Sequence, residues 1–229
     1  MPSLPTLLLF VAIAAGTALL AETTAQLAAL SGAFWIALFE FEHRGGRRIH
    51  ALRFVAGMGV AALACHLGWI LLHLESSAPV LRSLFRPAGF CVLFAPIGVV
   101  LAGPRPAEER ARYLAPALGS LPLAMATARL GCLAVGCCHG VALGGGLVPI
   151  QAIEIAGCVL LSLGTRRLPP AMVPAATLAG LGTLRLVVEP WRAPDPLGPP
   201  ILPTAILAAL LLVAGVLPWL GDLTKRASS

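Results

Sequence analysis

The sequence predicts an all-α fold, a polytopic membrane helical bundle with seven or eight transmembrane helices. Three observations lead there. The chain of 229 residues is 58% hydrophobic and only 11% charged, with a mean hydropathy of +0.90. That is more apolar surface than one core of this size buries, so lipid is the natural solvent for the excess. The apolar residues fall into eight runs near the length that crosses hydrocarbon, at 4–20, 25–39, 51–74, 88–102, 113–134, 148–163, 171–188 and 201–220. The charges, finally, gather in the short loops between those runs.

Residues 1–21 are apolar but lack the positively charged leader of a secretory signal, so they predict a first membrane helix. The second and fourth runs are short, which leaves seven spans, with one piece tilted, re-entrant or merged, as the alternative to eight. Gly and Pro recur inside the runs, as embedded helices tolerate when neighbours satisfy the freed backbone groups. Pro149 opens the sixth run, in the first turn where a missing N–H removes no helical bond. The tail after Leu220 is too short for a domain, so residues 1–229 are expected to form a single integral membrane domain.

If the runs alternate sides, one face collects Arg44, Arg47, Arg48, Arg105, Arg110, Arg112, Arg166, Arg167, Lys225 and Arg226, and the other only Arg82, Arg86 and Arg192. The positive-inside rule makes the first face cytoplasmic. Basic residues scattered over loops also exclude the continuous basic face of a nucleic-acid binder. Cys65, Cys91 and Cys158 lie within apolar runs and read as packing residues, not as the disulfide framework of a small secreted domain.

Against this background one stretch is out of place. Arg129-Leu130-Gly131-Cys132-Leu133-Ala134-Val135-Gly136-Cys137-Cys138-His139-Gly140 concentrates an arginine, three cysteines, a histidine and three glycines. An arginine at mid-helix costs roughly 2.5–3.5 kcal/mol even on mild insertion scales, so it belongs where protein or water surrounds it. Arg129, Glu154, Arg185 and Glu189 all fall in the outward half of the bilayer if the helices alternate. Arg185 and Glu189 stand four apart and can pair on one helix face. Such a pair is either structural or part of an anion site, in which two arginines meet a phosphate while carboxylates hold their forks. Gln151 and Glu154 share a face three residues apart and either glue helices together or line a cavity. Cys132, Cys137 and His139 lack the second half of a zinc ligand set. A thiol nucleophile or redox pair favoured by Arg129 and His139, tight packing, and positioning of a substrate remain open for the cysteines.

The run from Arg129 through Gly131, Gly136 and Gly140 resembles the signature loop of the prolipoprotein diacylglyceryl transferase family, Arg-hydrophobic-Gly-Asn, then Gly-Glu, then Gly. Pro149, Gln151 and Glu154 stand at the spacing of the family's Pro-x-Gln-x-x-Glu element. Arg185, Glu189, Arg192, Pro194 and Asp195 match its Arg-x-x-x-Glu-x-x-Arg-x-Pro-Asp element. The match covers about residues 129–220. Cys132 replaces the family's Asn and Cys137 its Glu. The upstream Phe-His-Gly-Gly-Leu element has Phe90-Cys91-Val92-Leu93 as its nearest counterpart, which leaves His139 or His66 to supply an imidazole.

The resemblance implies an inner-membrane enzyme that moves a diacylglyceryl group from a phosphatidylglycerol-like phospholipid to the thiol of a lipoprotein precursor, or to another thiol acceptor, at the outer face. It implies no cofactor and no metal. Arg129 and Arg185 would bind the phosphate, Glu189 would orient Arg185 or the donor glycerol, and Cys137 and His139 would stand by the acceptor. Cys132, Gly136, Cys138, Gly140, Gln151, Glu154 and Arg192 would complete the substrate site. Two other classes fit the same residues: a thiol redox or metal-handling membrane protein using Cys132, Cys137, Cys138 and His139, and a non-catalytic phospholipid-binding homologue.

Overall fold

The computed structural model describes residues 4–19, 22–72, 94–136, 140–143, 146–193 and 205–216. The fold is helical, as the composition predicts. Its helices are α1 (Leu4–Leu19), α2 (Glu22–His43), α3 (Arg48–Leu72), α4 (Ala95–Ala102), α5 (Ala107–Val135), α6 (Ile150–Thr165), α7 (Val173–Val188) and α8 (Ala205–Val216). Single 3-10 turns at Pro170–Met172 and Glu189–Trp191 flank α7. Among the described residues, Ala107–Val135 and Pro170–Trp191 are long and apolar enough to cross a membrane. The 16-residue α6 spans only about 24 Å and the eight-residue α4 about 12 Å. The first part of the expected fourth run, before Phe94, lies outside the described residues.

The bundle is organised around α5. Glu108 and Glu109 in its first turn complement the positive helix end. Gly136 closes it in the left-handed region, φ 71°, its N–H reaching Leu133 O at 3.3 Å. Between Tyr113 and Arg129 almost every residue is buried, whichever way it points. A helix buried all round has neighbours all round. Here α2, α6 and α7 supply most of that packing, with α1 and α4 completing it. Pro116 and Pro122 inside the helix each remove one backbone donor, which close packing tolerates.

Two hydrophobic clusters flank α5. The first joins α2, α3, α4 and α5, with Phe41 stacked on Phe54 at 4.9 Å and edge-on to Tyr113 at 6.1 Å. Tyr113 donates its hydroxyl proton to Val99 O at 3.2 Å, so the one polar atom of that ring is satisfied. The second cluster joins α5, α6, α7 and α8 through Met125, Ala126, Cys158, Leu181, Ala208 and Leu211. Cys158 is therefore a packing residue, as its apolar run suggests. In this half α7 and α8 approach backbone to backbone: a Cβ on Gly182 would stand 2.5 Å from Ala208 O. The missing side chain at Gly182 is what lets the two backbones come this close. The outward faces stay apolar, with Leu27, Trp35, Leu52, Val60, Leu160 and Leu210 all exposed.

The all-α expectation misses one feature. Ala142–Leu143 (β1) and Gly146–Leu147 (β2) form a small antiparallel hairpin between α5 and α6. Gly140 makes an antiparallel bridge to Arg192, and Val141 N–H donates to Trp191 O at 2.8 Å. The hairpin thereby straps the end of α5 to the end of α7.

Candidate functional site

Five of the expected site residues form one buried ladder. Arg129 projects from the last two turns of α5, Glu154 from the start of α6 and Arg185 from the end of α7; Glu189 and Arg192 come from the turn beyond. These ends meet because α6 runs antiparallel to α5 and α7. Glu154 is the hub. Its Oε2 lies 2.9 Å from Arg129 Nε, while its Oε1 accepts from Arg129 Nη2 at 3.2 Å and from Arg185 Nη1. Arg185 Nε in turn lies 2.8 Å from Glu189 Oε2, and Arg192 Nη2 donates to Glu189 Oε1 at 2.7 Å.

The order is arginine, glutamate, arginine, glutamate, arginine, and no member exposes more than 9% of its surface. Three guanidinium groups against two carboxylates leave one net positive charge. The Arg129 Nε–Glu154 Oε2 and Arg185 Nε–Glu189 Oε2 contacts have ion-pair distances without hydrogen-bond direction. The ladder is thus well neutralised in charge and incompletely satisfied in hydrogen bonding.

Of the remaining expected residues, Cys132 and Gln151 lie beside it. Arg129 Nη1 reaches Cys132 Sγ at 3.8 Å, one helical turn on. Gln151 is buried on the same side of α6 as Glu154. Gly136 is the helix cap described above. Gly140 serves the backbone: its N–H donates to Val148 O at 3.1 Å, and an added Cβ would stand 2.4 Å from that oxygen. Cys137, Cys138, His139, Pro194 and Asp195 lie outside the described residues, as do the side chain of His66 and the Phe90 to Leu93 stretch. Among the described residues no group of three or more His, Cys, Asp or Glu side chains is placed to hold a metal ion.

The ladder borders a small cavity lined by Met125, Arg129, Glu154, Cys158, Leu181, Leu184 and Arg185. Its water-sized space of about 20 Å³ holds about one water molecule. The two arginines therefore meet on Glu154 and not across an open headgroup-sized chamber. What the arrangement holds chemically is a fixed excess of one positive charge, three guanidinium groups against two carboxylates, of the kind that pairs with an anion.

A second charge cluster escapes the sequence reading. Glu40, fully buried at the end of α2, is held by Arg44 and Arg166 at the opposite end of the bundle. An acid between Phe39 and Phe41 is the available signal, but both arginines read as loop charges. Burial lowers the pKa of Arg44 from its ordinary value, and the adjacent Glu40 carboxylate opposes that.

No family model, no curated protein and no solved structure matches the chain.

Proposed function

We propose that the protein is a multi-pass membrane protein of the inner membrane that binds the phosphate of a phosphatidylglycerol-like lipid at the Arg129–Arg192 ladder and transfers its diacylglyceryl group to a thiol acceptor at the outer face. Supporting the multi-pass reading are the two helices long enough to span, the apolar outward faces and the placement of the loop arginines. The observation that carries the functional reading is the convergence of Arg129 and Arg185, from separate helices, on one buried glutamate with a positive charge left over.

In the transfer, an acceptor thiolate attacks the diacylglyceryl carbon that bears the phosphoester oxygen. The carbon–sulfur bond forms as the carbon–oxygen bond breaks, and glycerol phosphate leaves with the electron pair. Charge develops on that phosphate as it leaves, and fixed guanidinium groups stabilise it without reorganising. Glu154 and Glu189 hold the two arginines in place between turnovers. The thiol proton passes to a base, for which His139 is the candidate by sequence.

The deciding assay follows radiolabel from phosphatidylglycerol to a lipobox peptide on the purified protein. Wild type transfers label, and Arg185→Ala or Arg185→Lys lowers the rate by roughly 10²- to 10³-fold, as removal of one such donor does elsewhere. No transfer by wild type, or undiminished transfer by both variants, refutes the enzyme. Co-purifying phospholipid without turnover points to a binding homologue, and a disulfide or bound metal at the cysteine loop to the thiol-redox or metal-handling class.

A further inference from the structure

The bundle end opposite the ladder carries a cluster that the proposed function leaves unused. Glu40 Oε2 accepts from Arg44 Nε at 3.4 Å and from Arg166 Nη2. Arg44 Nη2 also donates to Ser162 O at 2.9 Å and to the hydroxyl of Thr165 at 3.3 Å, which ties the end of α2 to the end of α6. Arg44 lies over Gly119, where a Cβ would come within 2.7 Å of Nη1, so α5 is bare where the guanidinium crosses it.

Beside these groups is a cavity of about 300 Å³. His43, Arg44, Thr165 and Arg166 form its polar wall, and Pro116, Leu168 and Val173 lie on its apolar side. The volume is at the lower end of the range that holds small ligands. Glu40 does not line the cavity. Its carboxylate sits behind the two arginines and orients them.

Two features separate this from a structural ion triad. A triad that only joins helices is packed over, whereas these guanidinium groups face open volume. The triad is also short of partners: Arg166 Nε and Glu40 Oε1 are buried without a hydrogen bond. Two guanidinium groups against one carboxylate leave one positive charge. Of the exposed acids at this end, Glu42 is engaged by Arg48 at 3.7 Å and Glu108 by Arg112 at 2.6 Å, and Glu109 does not line the cavity. Exposed Arg47, Arg105 and Arg167 at the same end raise the local concentration of anions.

We propose that this cavity is a second anion site, taking the phosphate of a phospholipid headgroup or of a small phosphate ester. Arg44 and Arg166 grip the phosphate oxygens with their planar forks, and Pro116, Leu168 and Val173 receive the carbon side of the ligand. The single excess positive charge matches a phosphodiester.

The test uses the full chain in a phosphate-free maltoside micelle, with two probes: inorganic phosphate by titration calorimetry, and phosphatidylglycerol added to the micelle, read by the unfolding midpoint. Arg166→Gln removes one fork. Leu168→Trp fills the cavity from a half-buried lining position without touching the ion triad. Wild type binds at least one probe, and both variants weaken that binding by tenfold or more. Should Arg166→Gln fail to fold, Leu168→Trp decides alone. Binding at the Arg129–Arg192 ladder survives Leu168→Trp, so only the component lost in that variant counts. Loss of the phosphatidylglycerol response alone assigns a lipid headgroup, and loss of the inorganic phosphate response assigns a soluble ester. No binding of either probe by wild type, or equal binding by Leu168→Trp, overturns the site.

Discussion

Replacing Glu154 with glutamine keeps the volume of the hub and removes its charge. Arg129 and Arg185 then share a single carbonyl acceptor, and the net charge of the buried ladder rises from one to two. Arg129 keeps its contact with Cys132 at 3.8 Å and Arg185 keeps Glu189 at 2.8 Å, so neither is stripped bare. What is lost is the group that joins α5 to α7 through α6. Removing one partner of a buried pair costs about 3–5 kcal/mol. For a chain of this length that lowers the unfolding midpoint by roughly 6–20 °C. Arg112→Ala is the control. Its pair with Glu108 is shorter on paper, 2.6 Å, but 64% and 80% of the two side chains is exposed. Its loss is worth about 0–1 kcal/mol. Thermal unfolding in maltoside micelles, followed by circular dichroism, reads both variants. The double variant Glu154→Gln with Arg129→Gln returns the ladder to one net charge and recovers part of the loss, a coupling of about 0.5–3 kcal/mol. A Glu154→Gln midpoint no lower than that of Arg112→Ala, or strict additivity in the double variant, refutes Glu154 as the hub.

Two further substitutions test the frame that carries the ladder. Gly182→Ala places a methyl group 2.5 Å from Ala208 O and 2.6 Å from Leu212 N, both backbone atoms, so α7 and α8 must part. A loss of about 1–3 kcal/mol is expected in the same unfolding assay, and unchanged stability contradicts the close crossing. Phe41→Ala removes the ring stacked on Phe54 and facing Tyr113, with an expected loss of about 3–5 kcal/mol. A loss under about 1 kcal/mol places that ring outside the core.

The helices were readable because each carries an apolar run, but their bounds were not. The fifth run begins at Tyr113, whereas α5 begins at Ala107. Glu108, Glu109, Arg110 and Arg112 favour helix while being polar, so hydropathy marks where apolar packing starts and not where backbone bonding does. The hairpin at 142–147 is too short to impose a period of two on the sequence. Within the ladder, the Arg185–Glu189 pair is local and follows from a spacing of four. The meeting of Arg129, Glu154 and Arg185 depends on how three helices pack, which no spacing encodes. The pairing of Glu40 is not encoded for the same reason: Arg166 stands 126 residues away in sequence.

The two clusters also constrain each other. Glu154 and Arg166 lie on α6 and the turn that follows it, twelve residues apart, which is about 18 Å along a helix. The hydrocarbon core of a bilayer is about 30 Å thick. A bundle that spans such a core therefore holds at least one of its ion clusters inside the hydrocarbon limits, and a centred bundle holds both. Lone charges at that depth would be expelled or neutralised. Glutamates bracketed by arginines, turned toward the bundle interior beneath an apolar outer face, satisfy that demand, which explains why each buried acid has two guanidinium partners. Pairing for the sake of burial alone would stop at neutrality. Both clusters stop one positive charge beyond it, three guanidinium groups against two carboxylates at one end and two against one at the other. That excess of the same sign is what the two proposed anion sites require of the ladder and of the Glu40 cluster.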